Sequence, residues 1–357
     1  MENAMESNDD ILVVSTSDRG EKITRPLSMV GVETANFKLS DISDVVGLYQ
    51  TIKRCEPEVV IVDSFSFGGA SVALSCLASS TPYVIRVRGD PIREHSEWLR
   101  VHMKNREFLR ALKQLPRYIG TKTTLLATDH YVFVSDYLKR LYDPAGDKSR
   151  VINTPCFMLD ESSGAEEYNL ELDNVVKDNV VLAVTNMNYP AKVAGLRDAL
   201  NPISTVLERR RDTTMLIAGD GPYYDDIVKQ SESLEGDIRT PGYIPNIQPL
   251  FERADVFAHF SYLDGYPSTI LEAYASKTPV LANDAVGMSE QIVDGETGYL
   301  VDLDDPSEVI QHLEYLLDSP NLKEKFGDAG HDQAQNNNTT ERIGEQFKSY
   351  LSKFVNE

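Results

Sequence analysis

The chain has 357 residues, 41% of them hydrophobic and 25% charged, which is enough apolar content for two soluble domains of ordinary size, each with its own core. Its formal net charge of −21 argues against nonspecific nucleic-acid binding, because a polyanion repels such a surface; the same acidity suits high salt, where screening removes self-repulsion. No apolar run approaches the ~20 residues of a bilayer span, and the opening MENAMESNDD is acidic where a signal peptide is basic and then apolar, so a cytoplasmic protein is expected.

Short β-rich runs alternate with longer helical stretches, a pattern that implies an α/β fold of parallel sheets covered by helices. In the first half, strands are expected at 11–15, 59–64, 83–87, 131–135 and 151–154, with helices between them. The Gly-rich loop expected after the first strand is missing, since residues 15–20 read STSDRG; Gly68 and Gly69 follow the strand at 59–64 instead. Arg88-Gly89-Asp90 follows the strand at 83–87, and its two charged residues fit either a ligand cleft or a strand-end ion pair. From residue 91 to 122 the charge reverses. Arg93, Arg100, Lys104, Arg106, Arg110, Lys113, Arg117 and Lys122 stand against Glu94, Glu97 and Glu107, a net +5. Trp98, Phe108, Leu112, Leu115 and Ile119 lie close to helical spacing within it, so the segment fits an anionic membrane or lipid-phosphate contact as well as a helix packed on its own domain.

The acidic, small-residue stretch 159–174 reads as a linker. The domains are set at 1–160 and 175–335, with 161–174 as linker and 336–357 as a terminal helix crossing back to the first domain. The second half restarts the alternation with strands at 180–184, 214–218, 256–260 and 279–283. Asp305, Pro306 and Glu308 read as N-cap, first-turn proline and capping-box acid of a helix reaching about 318. The polar tract 335–340 reads as a loop, and a last helix covers 341–354. Cys55, Cys76 and Cys156 are odd in number and widely spaced, which suggests reduced thiols rather than a disulfide framework or zinc site.

The most informative stretch is residues 264–283, DGYPSTILEAYASKTPVLAN. It reads as a tight loop, Gly265-Tyr266-Pro267-Ser268, then a helix beginning near Thr269, then a strand. Such a loop leaves backbone N–H groups facing outward, and with the helix dipole they favour an anion such as a diphosphate. Glu272, about one turn into the helix, could accept hydrogen bonds from a vicinal diol such as ribose. The same two acids also fit a helix cap at Asp264 and a solvated carboxylate at Glu272.

This stretch resembles the E-x7-E signature of glycosyltransferase family 4. Asp264 and Glu272 bracket seven residues, and the Gly-aromatic-Pro loop, the Glu-Ala-x-Ala helix and Thr278-Pro279-Val280 match as well. Residues 216–222, LIAGDGP, resemble the family's Gly-x-Gly-Pro turn through Gly219 and Gly221; 241–244, PGYI, resembles the segment flanking the base, and 295–301, GETGYLV, the loop before the capped helix. Lys192 stands where the family places a lysine on the donor phosphates. Asn186 replaces the usual arginine, and Asp264 replaces the first glutamate, shortening its reach by about 1.5 Å.

The resemblance implies a GT-B architecture, two Rossmann-like domains facing across a cleft, with an acceptor domain first and a donor domain second. It implies a retaining transfer of sugar from a nucleotide-diphosphate sugar to a hydroxyl or lipid-phosphate-linked acceptor. Lys192 and Asp264, with Arg88 and Asp90 from the first domain, form the implied catalytic set. Asn186, Gly219, Gly221, Gly265, Tyr266, Pro267, Ser268, Thr269 and Glu272 form the donor-binding set. No obligatory cofactor or metal is implied, and the Asp302-x-Asp304 pair reads as incidental. Two other readings stand beside it: a nucleotide-sugar 2-epimerase, which shares the fold but needs no acceptor, and a non-catalytic GT-B-like subunit, suggested by the departures at Asn186, Asp264 and the Gly-rich loop.

Overall fold

The strands that build the core are those whose residues are buried on both faces, as a sheet sandwiched by helices requires. In the computed structural model, which describes residues 10–15, 20–40, 44–63, 67–128, 130–143, 145–146, 149–160 and 176–355, every residue of β1 (Ile11–Ser15), β3 (Val59–Asp63) and β4 (Tyr83–Val87) is buried. The expected linker 161–174 lies outside the described residues. The chain divides into two compact units, Met1–Pro155 with Thr340–Glu357, and Cys156–Thr339.

In the first unit, β1, β2 (Thr34–Lys38), β3, β4, β5 (Tyr131–Phe133) and β6 (Ser149–Val151) form one parallel sheet in the order β2-β1-β3-β4-β5-β6. Its helices are α1 (Glu21–Met29), α2 (Asp44–Cys55), α3 (Phe67–Ser79), α4 (Pro91–Lys104), α5 (Phe108–Ala127) and α6 (Asp136–Tyr142). The second unit repeats the plan. Strands β7 (Asn179–Val184), β8 (Thr213–Ala218), β9 (Asp237–Gly242), β10 (Val256–His259), β11 (Val280–Asn283) and β12 (Gly298–Val301) pair in parallel, in the order β12-β11-β10-β7-β8-β9. They are covered by α7 (Pro190–Arg209), α8 (Tyr224–Glu232), α9 (Gln248–Arg253), α10 (Ser268–Ala275), α11 (Pro306–Asp318) and α12 (Pro320–Asn337). The last helix, α13 (Thr340–Val355), packs on α1 and so belongs to the first unit.

Several local expectations are corrected. The strand expected at 151–154 pairs instead at Ser149–Val151, and three strands not expected from the sequence, β2, β9 and β12, are edge strands of their sheets. Residues 335–337 of the tract read as a loop are helical, as the end of α12. That helix packs through small residues. A Cβ at Gly327 would come within 2.1 Å of the Lys277 carbonyl, and one at Gly330 within 2.4 Å of the Tyr274 ring. Asp305 does cap α11, accepting from the Ser307 N–H at 3.0 Å, but Glu308 accepts from the Asp302 N–H rather than closing a box on Asp305.

In each sheet the chain leaves the central strands in opposite directions, at β1/β3 and at β7/β10. Crevices outside the carboxyl ends of strands at such reversals are where open α/β sheets take ligands.

Candidate functional site

In the second unit the reversal places the loop after β7 beside the loop after β10. The first contributes Asn186 and, in the opening turn of α7, Lys192; the second contributes Asp264 through Thr269. The two are tied together by backbone. The Tyr262 N–H donates to the Ala191 carbonyl at 3.0 Å, and a Cβ at Gly195 would lie 2.6 Å from the Ser261 nitrogen, so α7 rests directly on the loop's main chain. From the end of β11, Asn283 holds Ser261 at both ends: its Oδ1 accepts from the Ser261 N–H at 2.8 Å and its Nδ2 donates to the Ser261 carbonyl at 3.1 Å.

On this frame the Lys192 ammonium donates to Asp264 Oδ1 at 2.9 Å, with side chains 16% and 9% exposed. The other carboxylate oxygen, Oδ2, faces His259 Nε2 at 3.3 Å, and His259 Nδ1 lies 3.5 Å from the Thr269 hydroxyl. Burial by itself would raise the Asp264 carboxyl, but the Lys192 charge and the His259 contact outweigh it and hold the group well below the usual carboxylate range. Asp264 is thus an ionised acceptor committed to two side chains, not the cap of α10. That position falls to Pro267, which offers no side-chain acceptor. The first-turn N–H groups of Ser268 and Thr269 therefore open α10 with the positive end of its dipole uncapped by the preceding side chain.

The loop itself is braced from below. Gln291 Nε2 donates to the Pro267 carbonyl at 3.1 Å, and Gln291 is fully buried. Burial pushes the Tyr266 phenol up to about 12, against the hydrogen bond it accepts from Asn338. Glu272 lies half-buried on α10 one turn after Ser268.

Gly219 and Gly221 follow β8 with φ of +139° and +148°, values that disfavour a side chain. A Cβ at Gly219 would lie 1.8 Å from the Thr185 carbonyl oxygen, and one at Gly221 2.5 Å from that of Met187. The two glycines thus let the turn after β8 close onto the turn after β7. A cavity of about 260 Å³ opens there, lined by Asn186, Gly219, Asp220, Tyr243, Ile244 and Ile247 among others.

The structure therefore brings Lys192, Asp264 and, through His259, Thr269 into one bonded group, with Ser268 beside it; Asn186 and Gly219 line the neighbouring cavity. The sequence reading missed His259. Its only trace is an imidazole at the end of an otherwise apolar strand, VFAH.

Arg88 and Asp90 belong to the other unit. Arg88 Nε bonds Asp63 Oδ1 at 2.9 Å, which also meets the fully buried Arg86 at 3.3 Å. Asp90 caps α4 by accepting from the Arg93 N–H at 2.8 Å, and also accepts from the Tyr142 hydroxyl. In the basic segment, α5 exposes Phe108, Leu112, Leu115 and Ile119 by 60%, 64%, 42% and 53%. Among the described residues no group of three or more candidate ligands could hold a metal ion, and no helix is long and apolar enough to cross a membrane. Asp302 Oδ1 serves its own loop by accepting from the Asp304 N–H at 2.9 Å.

Residues 178–319 match the family model described as glycosyl transferases group 1. Among curated relatives, the capsular polysaccharide biosynthesis glycosyltransferase CapM of Staphylococcus aureus is 21% identical over 210 residues, covering 56% of this chain and 52% of that protein. The D-inositol 3-phosphate glycosyltransferase of Corynebacterium diphtheriae is 40% identical over 87 residues, covering 24% and 20%. The chain thus spans about half the length, or less, of these relatives. Among solved structures, HepE from Anabaena, in complex with UDP and glucose, superposes with a TM-score of 0.74 at 17% identity, covering 97% of this chain and 100% of that one. Sucrose-phosphate synthase from Thermosynechococcus elongatus does so with a TM-score of 0.70 at 14% identity, covering 98% and 100%. The fold is the GT-B architecture of those structures, and the stretch that resembles the glycosyl transferases group 1 model lies within the second unit.

Proposed function

We propose that the chain is a retaining glycosyltransferase of family 4 that moves a sugar from a nucleotide-diphosphate sugar to a hydroxyl or lipid-phosphate-linked acceptor. The observation that carries this reading is the Lys192–Asp264 contact of 2.9 Å beside the uncapped start of α10, inside the stretch that matches the group 1 family. An ammonium and a set of first-turn N–H groups facing one crevice make a seat for a diphosphate, and negative charge developing on a departing diphosphate is what such donors stabilise. In this reading the base enters the cavity lined by Asn186 and Ile244, Glu272 accepts from the ribose diol, and Asp264 meets the donor sugar. The acceptor is assigned to the first unit, with Arg88 and Asp90 as its candidate contacts. The acceptor hydroxyl attacks from the face the diphosphate leaves, and the diphosphate takes up the hydroxyl proton. CapM is named a glycosyltransferase of capsular polysaccharide biosynthesis, which supports glycosyl transfer, and HepE is titled as a complex with UDP and glucose, which supports a sugar nucleotide as donor.

Incubation with radiolabelled nucleotide sugars tests the reading. Transfer, or slow hydrolysis to free sugar, is expected. Conversion to an isomerised sugar would point to an epimerase, and complete inertness to a binding subunit.

A peripheral contact with anionic lipid is proposed for α5, because its exposed Phe108, Leu112, Leu115 and Ile119, at helical spacing and joined by exposed Leu109, lie among Arg106, Arg110 and Lys122 in a chain of net charge −21. Cations flanking an apolar stripe suit the headgroup boundary of such a bilayer. Changing Arg106, Arg110 and Lys113 together to Glu should abolish sedimentation with anionic vesicles; unchanged sedimentation would remove the idea.

A further inference from the structure

Strand β10 ends on a residue its neighbours do not predict. Val256, Phe257 and Ala258 are apolar and buried, yet the next position is an imidazole only 4% exposed. A buried polar ring is costly unless its nitrogens are engaged, and here both are. Nε2 faces Asp264 Oδ2 at 3.3 Å, and Nδ1 faces the Thr269 hydroxyl at 3.5 Å, at the outer limit of a hydrogen bond.

The partners are the informative part. Asp264 opens the loop before α10, and Thr269 lies in the first turn of α10, so His259 stands beneath the loop and touches both of its ends. The carboxylate accepts only, so Nε2 carries a proton, and in the neutral ring Nδ1 then accepts from the Thr269 hydroxyl. With Oδ2 held from below, Oδ1 turns toward Lys192 at 2.9 Å. An aspartate has one rotatable bond fewer than a glutamate, so fixing one oxygen goes far toward fixing the other.

We propose that His259 is a positioning residue of the donor site: through Asp264 it sets where the Lys192 ammonium stands, and through Thr269 it registers that pair against the start of α10. This rests on the donor-site reading above. His259 touches no reacting atom; it acts through Asp264.

The test uses the full chain with His259→Leu, His259→Gln and Thr269→Val. Leucine fills the volume without a donor, whereas the glutamine amide can still donate toward Asp264. Turnover should fall by about 10- to 100-fold in His259→Leu, the scale of an ångström-sized misplacement, with the dissociation constant for free UDP or GDP changed by no more than about 2-fold and the KM for donor little altered. His259→Gln should recover most of the loss at similar thermal stability. Normal turnover in the leucine variant, or equal losses in the leucine and glutamine variants, would overturn the proposal.

A second measurement does not depend on activity. Imidazole 15N spectra of the wild-type chain should show the Nε2–H tautomer for His259, with the Nε2 signal shifted in Asp264→Asn and the Nδ1 signal shifted in Thr269→Val. A ring insensitive to both changes would overturn the linkage. An intact linkage in a wild-type chain that neither transfers nor hydrolyses any sugar nucleotide would count against the proposed function and not against the linkage.

Discussion

Lys192 and Asp264 are 72 residues apart in the chain and 2.9 Å apart in the fold, and their pairing ties charge, stability and proposed chemistry together. The Lys192 charge and the His259 contact hold the folded-state Asp264 carboxyl well below the usual carboxylate range, against the desolvation that opposes them. A depressed carboxyl contributes stability above its unfolded pKa and loses it as pH falls through the folded one. Wild type should therefore lose more stability than Asp264→Asn between about pH 5 and about pH 2, with the two unfolding curves converging at the acid end; parallel acid titrations of the two proteins would contradict the pairing. Lys192→Ala should lower turnover by roughly 10²- to 10³-fold, as for loss of one oxyanion donor, and change nucleotide affinity less, because its stabilisation grows as the bond to the leaving group breaks. Steady-state kinetics beside calorimetric binding separates the two effects. Both residues could be named from the sequence, one by the acidic pair around a Gly-aromatic-Pro loop and one by its place after the first strand of the second half. Their mutual contact could not, nor could His259, because a sequence carries no distance between the end of β10 and the first turn of α7.

At the scale of elements, the strands legible in the sequence were those buried on both faces, such as VVIVD of β3. The missed β2 and β9 lie at sheet edges and alternate or mix burial, with patterns TANFK and DIRTPG. Such strands lack the continuous apolar run by which a buried parallel strand is read. The end of α12 was illegible for a different reason: its inner face is built from Gly327, Gly330 and Ala334 together with Phe326, so the helix packs by lacking side chains. Helix α4 starts on Asp90, whose side-chain oxygen caps the Arg93 N–H. Asparagine can still accept there, so Asp90→Asn should unfold close to wild type, whereas Asp90→Ala should lose about 1 kcal/mol. Thermal unfolding of both variants checks this; equal losses would mean that charge rather than capping dominates at this position.

Over the whole molecule, the chain leaves the first unit at Pro155 and returns to it at Thr340. The return has a core of its own: Ile343, Phe347 and Leu351 of α13 are buried in one cluster with Ile23 and Leu27 of α1. Burying three such side chains contributes about 1.5 to 3 kcal/mol each, comparable with the 5–15 kcal/mol, roughly, of an entire domain. A chain ending at Thr339 should therefore show an early-melting first unit and a second unit near its usual transition by calorimetry; coincident, unshifted transitions would contradict this. Whether the second unit holds a sugar nucleotide is read by calorimetric titration of UDP and GDP into wild type and Glu272→Gln. Wild type should bind one nucleotide saturably, and Glu272→Gln should lose roughly 1.5 to 3 kcal/mol of that binding, the worth of hydrogen bonds to a charged acceptor. Tight binding unchanged by the substitution, or no binding of either nucleotide by a folded wild-type chain, would contradict the donor-site reading.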